Sequence, residues 1–289
     1  MRIEEMHGGD HPVFSFEFFP PKTDEGANNL MRAAAELKEM VSPDFISVTY
    51  GAGGSTRGRT LECVSRIQSE LGVTAMAHLT CVGHTVDEIR EVVGKLVGSG
   101  VENILGLRGD PPKGEVRFVP AAGGFSNASE LIEFLADNYD VGIGGACYPE
   151  VHPESPSPED DLRWTVNKVD AGAEFLITQL FFENQDYFSF VERAHAAGIT
   201  VPITPGIMPI TNVSQVKRFT GMCGARIPGA LLERLNRYED DPGSVMATGI
   251  EHAIDQCRNL LEQGAPGIHF YTLNKSQATR SILAAIKEH

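Results

Sequence analysis

Short runs rich in β-branched and aromatic residues alternate with helix-period stretches from one end of the chain to the other. This is the pattern of repeated βα units that build a parallel sheet. The runs fall at Phe14–Phe18, Phe45–Thr49, Thr74–Leu79, Asn103–Leu107, Val141–Cys147, Phe175–Gln179, Val201–Pro205 and Gly267–Tyr271, which makes eight strands. Between them, Val86, Ile89, Val92, Val93, Leu96 and Val97 share one helical face and stop at the turn residues Gly98 to Gly100. Asn184 to Ala197 and Ser276 to Lys287 read the same way. The stretch from Val213 to Gln263 can hold more than one helix around Pro228 and Pro242, and reads as an elaborated crossover between strands seven and eight. No Pro/Ser linker or charge block divides the chain, and the Pro-rich Pro149 to Pro158 falls in a βα loop. The expectation is therefore α/β: a single (β/α)8 TIM barrel over residues 1–289, rather than an open doubly wound sheet.

Composition sets outer limits. A length of 289 residues permits two ordinary domains or one barrel of roughly 250 residues or more. A formal net charge of -15 argues against a sequence-independent nucleic-acid surface, which needs a basic face to displace counterions from phosphates. Met1 to His11 carries charge and no apolar run, and nowhere do about 18 apolar residues follow one another, so no membrane span is expected and the chain reads as cytoplasmic. The 5 cysteines, Cys63, Cys81, Cys147, Cys223 and Cys257, are widely spaced with no CxxC pair, and read as mostly buried, reduced thiols. His78 has no HxH or HExxH partner, so no metal is expected.

A barrel of this kind carries its chemistry at the C-terminal ends of its strands. Those ends are rich in polar groups here: Glu17, Thr49, His78, Arg108 with Asp110, Tyr148 and Gln179. Each alone could be a cap or a solvated loop residue; together they favour a site. In Phe14-Ser15-Phe16-Glu17-Phe18-Phe19, alternation places the three even-numbered phenylalanines on one face and Ser15, Glu17 and Phe19 on the other, toward the barrel axis. A carboxyl group set among aromatics is poorly solvated, a setting suited to a general acid. The alternative is a buried ion pair with an inward Arg or Lys. Arg108-Gly109-Asp110-Pro111-Pro112 puts a cation and an anion two residues apart, around a glycine that permits close backbone approach; a self-satisfied salt-linked loop is the other reading. Gly51-Ala52-Gly53-Gly54-Ser55 is neither a dinucleotide fingerprint nor a Walker loop, and a flexible turn suits it better than a phosphate cradle. Lys168 lies on the helix after strand five, which argues against a Schiff-base aldolase.

Several motifs, in order, resemble those of methylenetetrahydrofolate reductases. They are Ser15-Phe16-Glu17-Phe18-Phe19-Pro20-Pro21-Lys22, Ser47-Val48-Thr49-Tyr50-Gly51-Ala52, His78-Leu79-Thr80-Cys81, Leu107-Arg108-Gly109-Asp110, Tyr148-Pro149-Glu150-Val151-His152-Pro153, Lys168-Val169-Asp170-Ala171-Gly172-Ala173 and Ile177-Thr178-Gln179. The likeness continues through Arg226-Ile227-Pro228 to His269-Phe270-Tyr271-Thr272-Leu273-Asn274, so it spans nearly the whole chain, in the manner of the short bacterial form without a regulatory domain.

The resemblance implies a flavin-dependent barrel that reduces 5,10-methylenetetrahydrofolate to 5-methyltetrahydrofolate. Reduced nicotinamide dinucleotide, NADH by analogy with bacterial members or else NADPH, would load a bound FAD with hydride in a ping-pong cycle. Carried over position by position, Thr49, His78, Arg108, Gly109, Asp110, Ala128, Tyr148, His152, Asp161 and Lys168 match FAD positions. Glu17 matches the general acid, and Asp110 also meets the pterin and supports the cationic intermediate. Gln179, Gln215 and Lys275 match folate contacts, and Phe219 an aromatic that packs on either substrate. Trp164 and Asn167 depart from the more polar or basic helix of the family. Homo-oligomerisation is a further implication. Two rival readings are a flavin-free pterin-binding barrel, such as a methyltransferase, and a non-catalytic flavin- or folate-binding barrel. A buried Glu17 would be a cost without a use in the latter.

Overall fold

Residues 1–51, 57–111, 114–115, 117–275 and 277–287 are described by a computed structural model of the chain. Most of the glycine-rich run after the second strand, Ala52 to Ser55, and Pro112 lie outside them. A short helix α1 (Ile3–Met6) precedes β1 (Val13–Phe18) and α2 (Asp24–Val41). Then come β2 (Phe45–Val48), α3 (Arg57–Arg66) running into a π-helical turn (Ile67–Leu71), β3 (Thr74–Thr80), α4 (Val86–Gly98), β4 (Asn103–Leu107) and α5 (Ala128–Asn138). The next units are β5 (Gly142–Cys147), α6 (Pro158–Asp170), β6 (Phe175–Thr178) and α7 (Asn184–Ala196). They are followed by β7 (Ile203–Thr204), β8 (Gly206–Ile207), α8 (Val213–Cys223), α9 (Gly229–Arg237), α10 (Pro242–Glu262), β9 (Gly267–Tyr271) and α11 (Gln277–Lys287).

The helices start where the sequence supplies caps. Thr23, Thr85, Asn127, Ser157, Asn212 and Asp241 each accept a first-turn backbone N–H through their side chains. Pro158 and Pro242 sit at the first helical positions, where a missing N–H costs nothing. None of the helices among the described residues is long and apolar enough to cross a membrane.

All strand pairs are parallel, in the order β7-β6-β5-β4-β3-β2-β1-β9-β8. Only Pro205 separates β7 from β8, so the two ends of this order meet and the sheet is a TIM-type barrel. The expected continuous seventh strand, Val201–Pro205, is thus corrected: it is broken in two, and its second half continues past the proline. Pro205 has no N–H for a ladder. Its first half pairs with β6 and its second with β9, while Gly206 donates its N–H to Thr178 Oγ1 at 2.9 Å.

Strand alternation divides the barrel into two cores. Phe14, Phe16 and Phe18 turn outward and pack with Leu30, Ala34 and Leu37 of α2; each buried side chain of this size contributes roughly 1.5–3 kcal/mol. Ile3, Val13, Phe45, Met76, Leu105, Phe175 and Ile177 fill the interior toward the N-terminal ends of the strands. α1 closes that end, with the Ile3 N–H donating to Asn103 Oδ1 at 2.9 Å. Gly144 makes room for Phe175, because a Cβ there would stand 2.5 Å from that ring. Farther along the axis the inward positions become polar: Ser15, Glu17, Ser47, His78 and His269 are all buried. This change from apolar to polar along the barrel axis puts the reactive groups at the C-terminal mouth.

Candidate active site

The inward face of β1 meets β9 in register, with Ser15 opposite His269 and Glu17 opposite Tyr271. Glu17 Oε2 lies 3.4 Å from Nε2 of His269 and 3.4 Å from Nε2 of His78. Ser15 Oγ and His269 Nδ1 are 2.7 Å apart, so one imidazole is held between a hydroxyl and a carboxyl group. Phe45 stacks on that imidazole and Tyr271 meets it edge-on. His78 has no aligned hydrogen bond at Nε2, and burial lowers its pKa to about 4 despite the neighbouring Glu17. It is therefore a neutral imidazole at physiological pH. The Glu17 backbone is fixed as well: Thr272 Oγ1 donates to its carbonyl at 2.6 Å. The expected inward placement of Glu17 holds, but its polar neighbours are two histidines, not an Arg or Lys, and aromatics alone do not surround it.

A second group joins the ends of β4, β5 and β6. Arg108 does not pair with Asp110; it makes a two-pronged ion pair with Glu154, 2.6 and 2.9 Å, from the loop after β5. Phe118 lies under its guanidinium at 5.2 Å. This corrects the reading of Arg108 to Asp110 as a self-satisfied loop, and leaves Asp110 exposed. Gly109 takes a φ of +85°, and a Cβ there would press on Val82. Tyr148 meets His152 edge-on at 4.7 Å, and the Gln179 side-chain oxygen accepts from the Leu180 N–H at 2.9 Å. Burial raises the Tyr148 pKa above its ordinary value, so the phenol keeps its proton.

Behind β5, on α6, buried Asp161 accepts from Ser155 Oγ at 2.9 Å, and Lys168 Nζ donates to the Ala146 carbonyl at 2.5 Å. Burial lowers the pKa of Lys168, while the nearby Cys147 and Asp161 oppose that shift. Trp164 and Asn167 are exposed on the same helix. Ala128 opens α5, next to a Ser129 hydroxyl that is buried with no hydrogen-bond partner among the described residues; the Thr80 hydroxyl at the end of β3 is in the same condition. Thr49 follows β2, and its carbonyl accepts from Thr60 Oγ1 at 2.9 Å.

Gln215 and Phe219 stand on α8, and Phe219, like Tyr271 and Leu273, packs against an apolar cluster that includes Leu180 and Met208. The segment after α8 is anchored by Arg226, which bonds Glu150 and Asp186. Lys275 is exposed in the turn after β9. No described hydrogen bond or ion pair ties the side chains of Gln215 or Lys275 to the Glu17 group. Sequence reasoning overlooked His269, Ser15 as its partner, and Asn274, whose amide brackets Phe19 with bonds of 2.7 and 2.9 Å. The alternation of His269 with Ile268 and Phe270 was the available signal for the first.

The profile of the family described as methylenetetrahydrofolate reductase matches residues 2–287. The chain belongs to the methylenetetrahydrofolate reductase family. It is 39% identical to the 5,10-methylenetetrahydrofolate reductase of Escherichia coli (strain K12), over 93% of this chain and 88% of that one. It is 40% identical to a probable methylenetetrahydrofolate reductase (NADH) of Oryza sativa subsp. japonica, over 98% of this chain and 49% of that protein. The chain thus spans about half the length of the plant relatives it matches. Among solved structures, a phosphoenolpyruvate phosphomutase from Streptomyces platensis subsp. rosaceus aligns with a TM-score of 0.50 at 14% identity, covering 91% of this chain and 88% of that one. That likeness speaks for the barrel alone.

Proposed function

We propose that the chain reduces 5,10-methylenetetrahydrofolate to 5-methyltetrahydrofolate, with NADH as electron source and FAD as hydride carrier in a ping-pong cycle. The observation that carries this reading is the buried Glu17 carboxyl group, 3.4 Å from each of two imidazoles, in a member of the reductase family. The residues at the mouth suit a flavin dinucleotide. Arg108, paired with Glu154, and Lys168, bonded to the Ala146 carbonyl, would turn their remaining N–H groups to a diphosphate, the α5 N-terminus favours anions, and the buried hydroxyls of Thr80 and Ser129 have no hydrogen-bond partner among the described residues. Thr49, His78, Gly109, Asp110, Ala128, Tyr148, His152 and Asp161 would complete that site.

Bound FAD would supply a two-electron carrier between the nicotinamide and the one-carbon unit. The chain's own residues do the rest. Glu17 holds a proton at its carboxyl group and gives it to the folate, opening the five-membered ring to an electrophilic iminium. His269, fixed by Ser15, keeps that carboxyl group oriented. Asp110 offers negative charge to the cationic intermediate. Gln179, Gln215 and Lys275 would hold the folate, with Phe219 packing on whichever substrate is present.

The test is the visible spectrum of the purified protein, followed anaerobically. A flavin band that bleaches with NADH and returns when methylenetetrahydrofolate is added supports the proposal. A protein that stays colourless after FAD is supplied overturns it in favour of a flavin-free pterin-binding barrel, and a yellow protein inert to NADH overturns the assigned electron source.

A further inference from the structure

The loop from Cys81 to Val86, between β3 and α4, includes none of the positions assigned above to cofactor or substrate, yet it touches three stretches that do. The Cys81 and Val82 N–H groups donate to the carbonyls of Leu107 and Arg108, both at 3.1 Å, and Val82 is the residue on which a Gly109 side chain would press. The Val86 N–H donates to the Gly123 carbonyl at 3.1 Å, and a Cβ on Gly124 would overlap the carbonyl oxygen of His84, so this loop also seats the backbone that leads into Asn127 and Ala128. The third contact is made by a side chain. His84 is 1% exposed, and its Nε2 lies 2.9 Å from the hydroxyl of Tyr50, the residue after Thr49. The two rings are 5.6 Å apart and inclined at 57°, a packed contact as well as a hydrogen bond.

An imidazole in this place is a costly way to fill space, because its polar nitrogens must be desolvated while an apolar side chain of similar size would pack without that penalty. The cost is offset by directionality: one hydrogen bond fixes where the Tyr50 phenol, and with it the backbone of Thr49, must lie. We infer that His84 is a positioning residue for the cofactor side of the barrel mouth, acting through the Tyr50 hydroxyl to hold the Thr49 segment in register with the Arg108–Gly109 and Ala128 segments. The inference rests on the flavin reading above, since the segments it aligns are those expected to hold FAD.

The experiment is FAD binding to the full-length apoprotein, measured by flavin fluorescence, for the parent, Tyr50→Phe, His84→Ala, His84→Gln and the double variant Tyr50→Phe/His84→Ala. Loss of one partially buried hydrogen bond predicts a Kd raised roughly three- to tenfold in Tyr50→Phe and in His84→Ala. The double variant should be no weaker than the weaker single. His84→Gln, whose amide can take either hydrogen-bonding role, should stay within about twofold of the parent. A merely structural histidine would instead lower the apoprotein melting temperature without this rescue. A Tyr50→Phe protein that binds FAD like the parent, losses that multiply in the double variant, or a His84→Gln protein as weak as His84→Ala would each overturn the inference. If His84→Ala does not fold, Tyr50→Phe and His84→Gln still decide it. A parent that takes up no FAD overturns the flavin reading and this inference with it, whereas a parent that binds FAD beside unaffected variants overturns this inference alone.

Discussion

Glu17 sits between two imidazoles that differ in what they can do. His269 is held from its far side by Ser15, whereas His78 has burial working against its protonation and stays neutral. On the proposed acid role of Glu17, Glu17→Gln should spare flavin reduction by NADH while slowing the folate half-reaction by about 100-fold or more. Stopped-flow measurement of the two half-reactions checks this, and equal loss in both would remove Glu17 from the acid role. His78 also predicts a pH dependence of stability. Its pKa falls from an ordinary 6.5 to about 4 in the folded chain, chiefly through burial, so the unfolded chain takes up the proton first on acidification. Stability present above pH 6.5 is therefore lost progressively toward about pH 4, at up to about 1.4 kcal/mol per pH unit for this one group. Burial lowers the pKa of His7, His152 and His252 in the same sense. Thermal melts from pH 7 to pH 4 should show a shallower decline for His78→Gln than for the parent, and an unchanged slope would assign the loss to other groups. Glu17 and His78 were legible because strand alternation fixes direction locally. The partner of Arg108 was not, because Glu154 stands 46 residues away on the neighbouring loop and only the closed barrel brings them together.

Among the elements, the helices that ended or began at a cap were the easiest to read. The face of Val86, Ile89, Val92, Val93, Leu96 and Val97 lies on α4, started by a reciprocal Thr85–Glu88 capping box; Ile89, Val93 and Leu96 are buried, whereas Val97, at the end of the stripe, is exposed. The long stretch after the seventh strand holds α8, α9 and α10, with Pro228 and Pro242 at the starts of the last two, where prolines belong. What periodicity could not give was how closely α10 approaches its neighbour. Gly249 lies in the middle of that helix, where alanine would ordinarily be favoured by about 1 kcal/mol. Here a Cβ would collide with the Ile210 carbonyl, just beyond β8. Gly249→Ala should therefore destabilise the protein by about 1–3 kcal/mol, the cost of overpacking a tight contact. Urea unfolding measures it; a midpoint equal to or above the parent's would mean that α10 can draw back at no cost. The break at Pro205 was hidden for a related reason. The sequence offered a β-branched run up to a proline, but the pairing of Gly206 and Ile207 with β9 on the far side depends on closure of the whole sheet.

At the scale of the molecule, the barrel is a gradient. One end is filled by Ile3, Val13, Phe45 and Phe175 and closed by α1, and the other gathers the buried Ser15, Glu17, His78 and His269. The eightfold alternation made the barrel legible without any structure, since parallel strands with helical crossovers bury both faces of the sheet. The even count concealed an unevenness. Six of the βα units rest on unbroken strands of four or more residues before the seventh, but the seventh is two pieces of two residues, each paired on one side only. The cylinder therefore has a seam. Local opening draws on the least-bonded backbone first, so amide hydrogen exchange at Ile203, Thr204 and Ile207 should outpace that at Leu176 and Ile177 in the adjoining β6. Slower exchange along the seventh strand would show that its side-chain contacts outweigh the interrupted ladder. Such a seam gives the barrel a preferred direction in which to breathe. Opening along it would loosen the side of the mouth that carries Gln179 and Phe219, while the continuous β1–β9 pairing holds the side that carries Glu17.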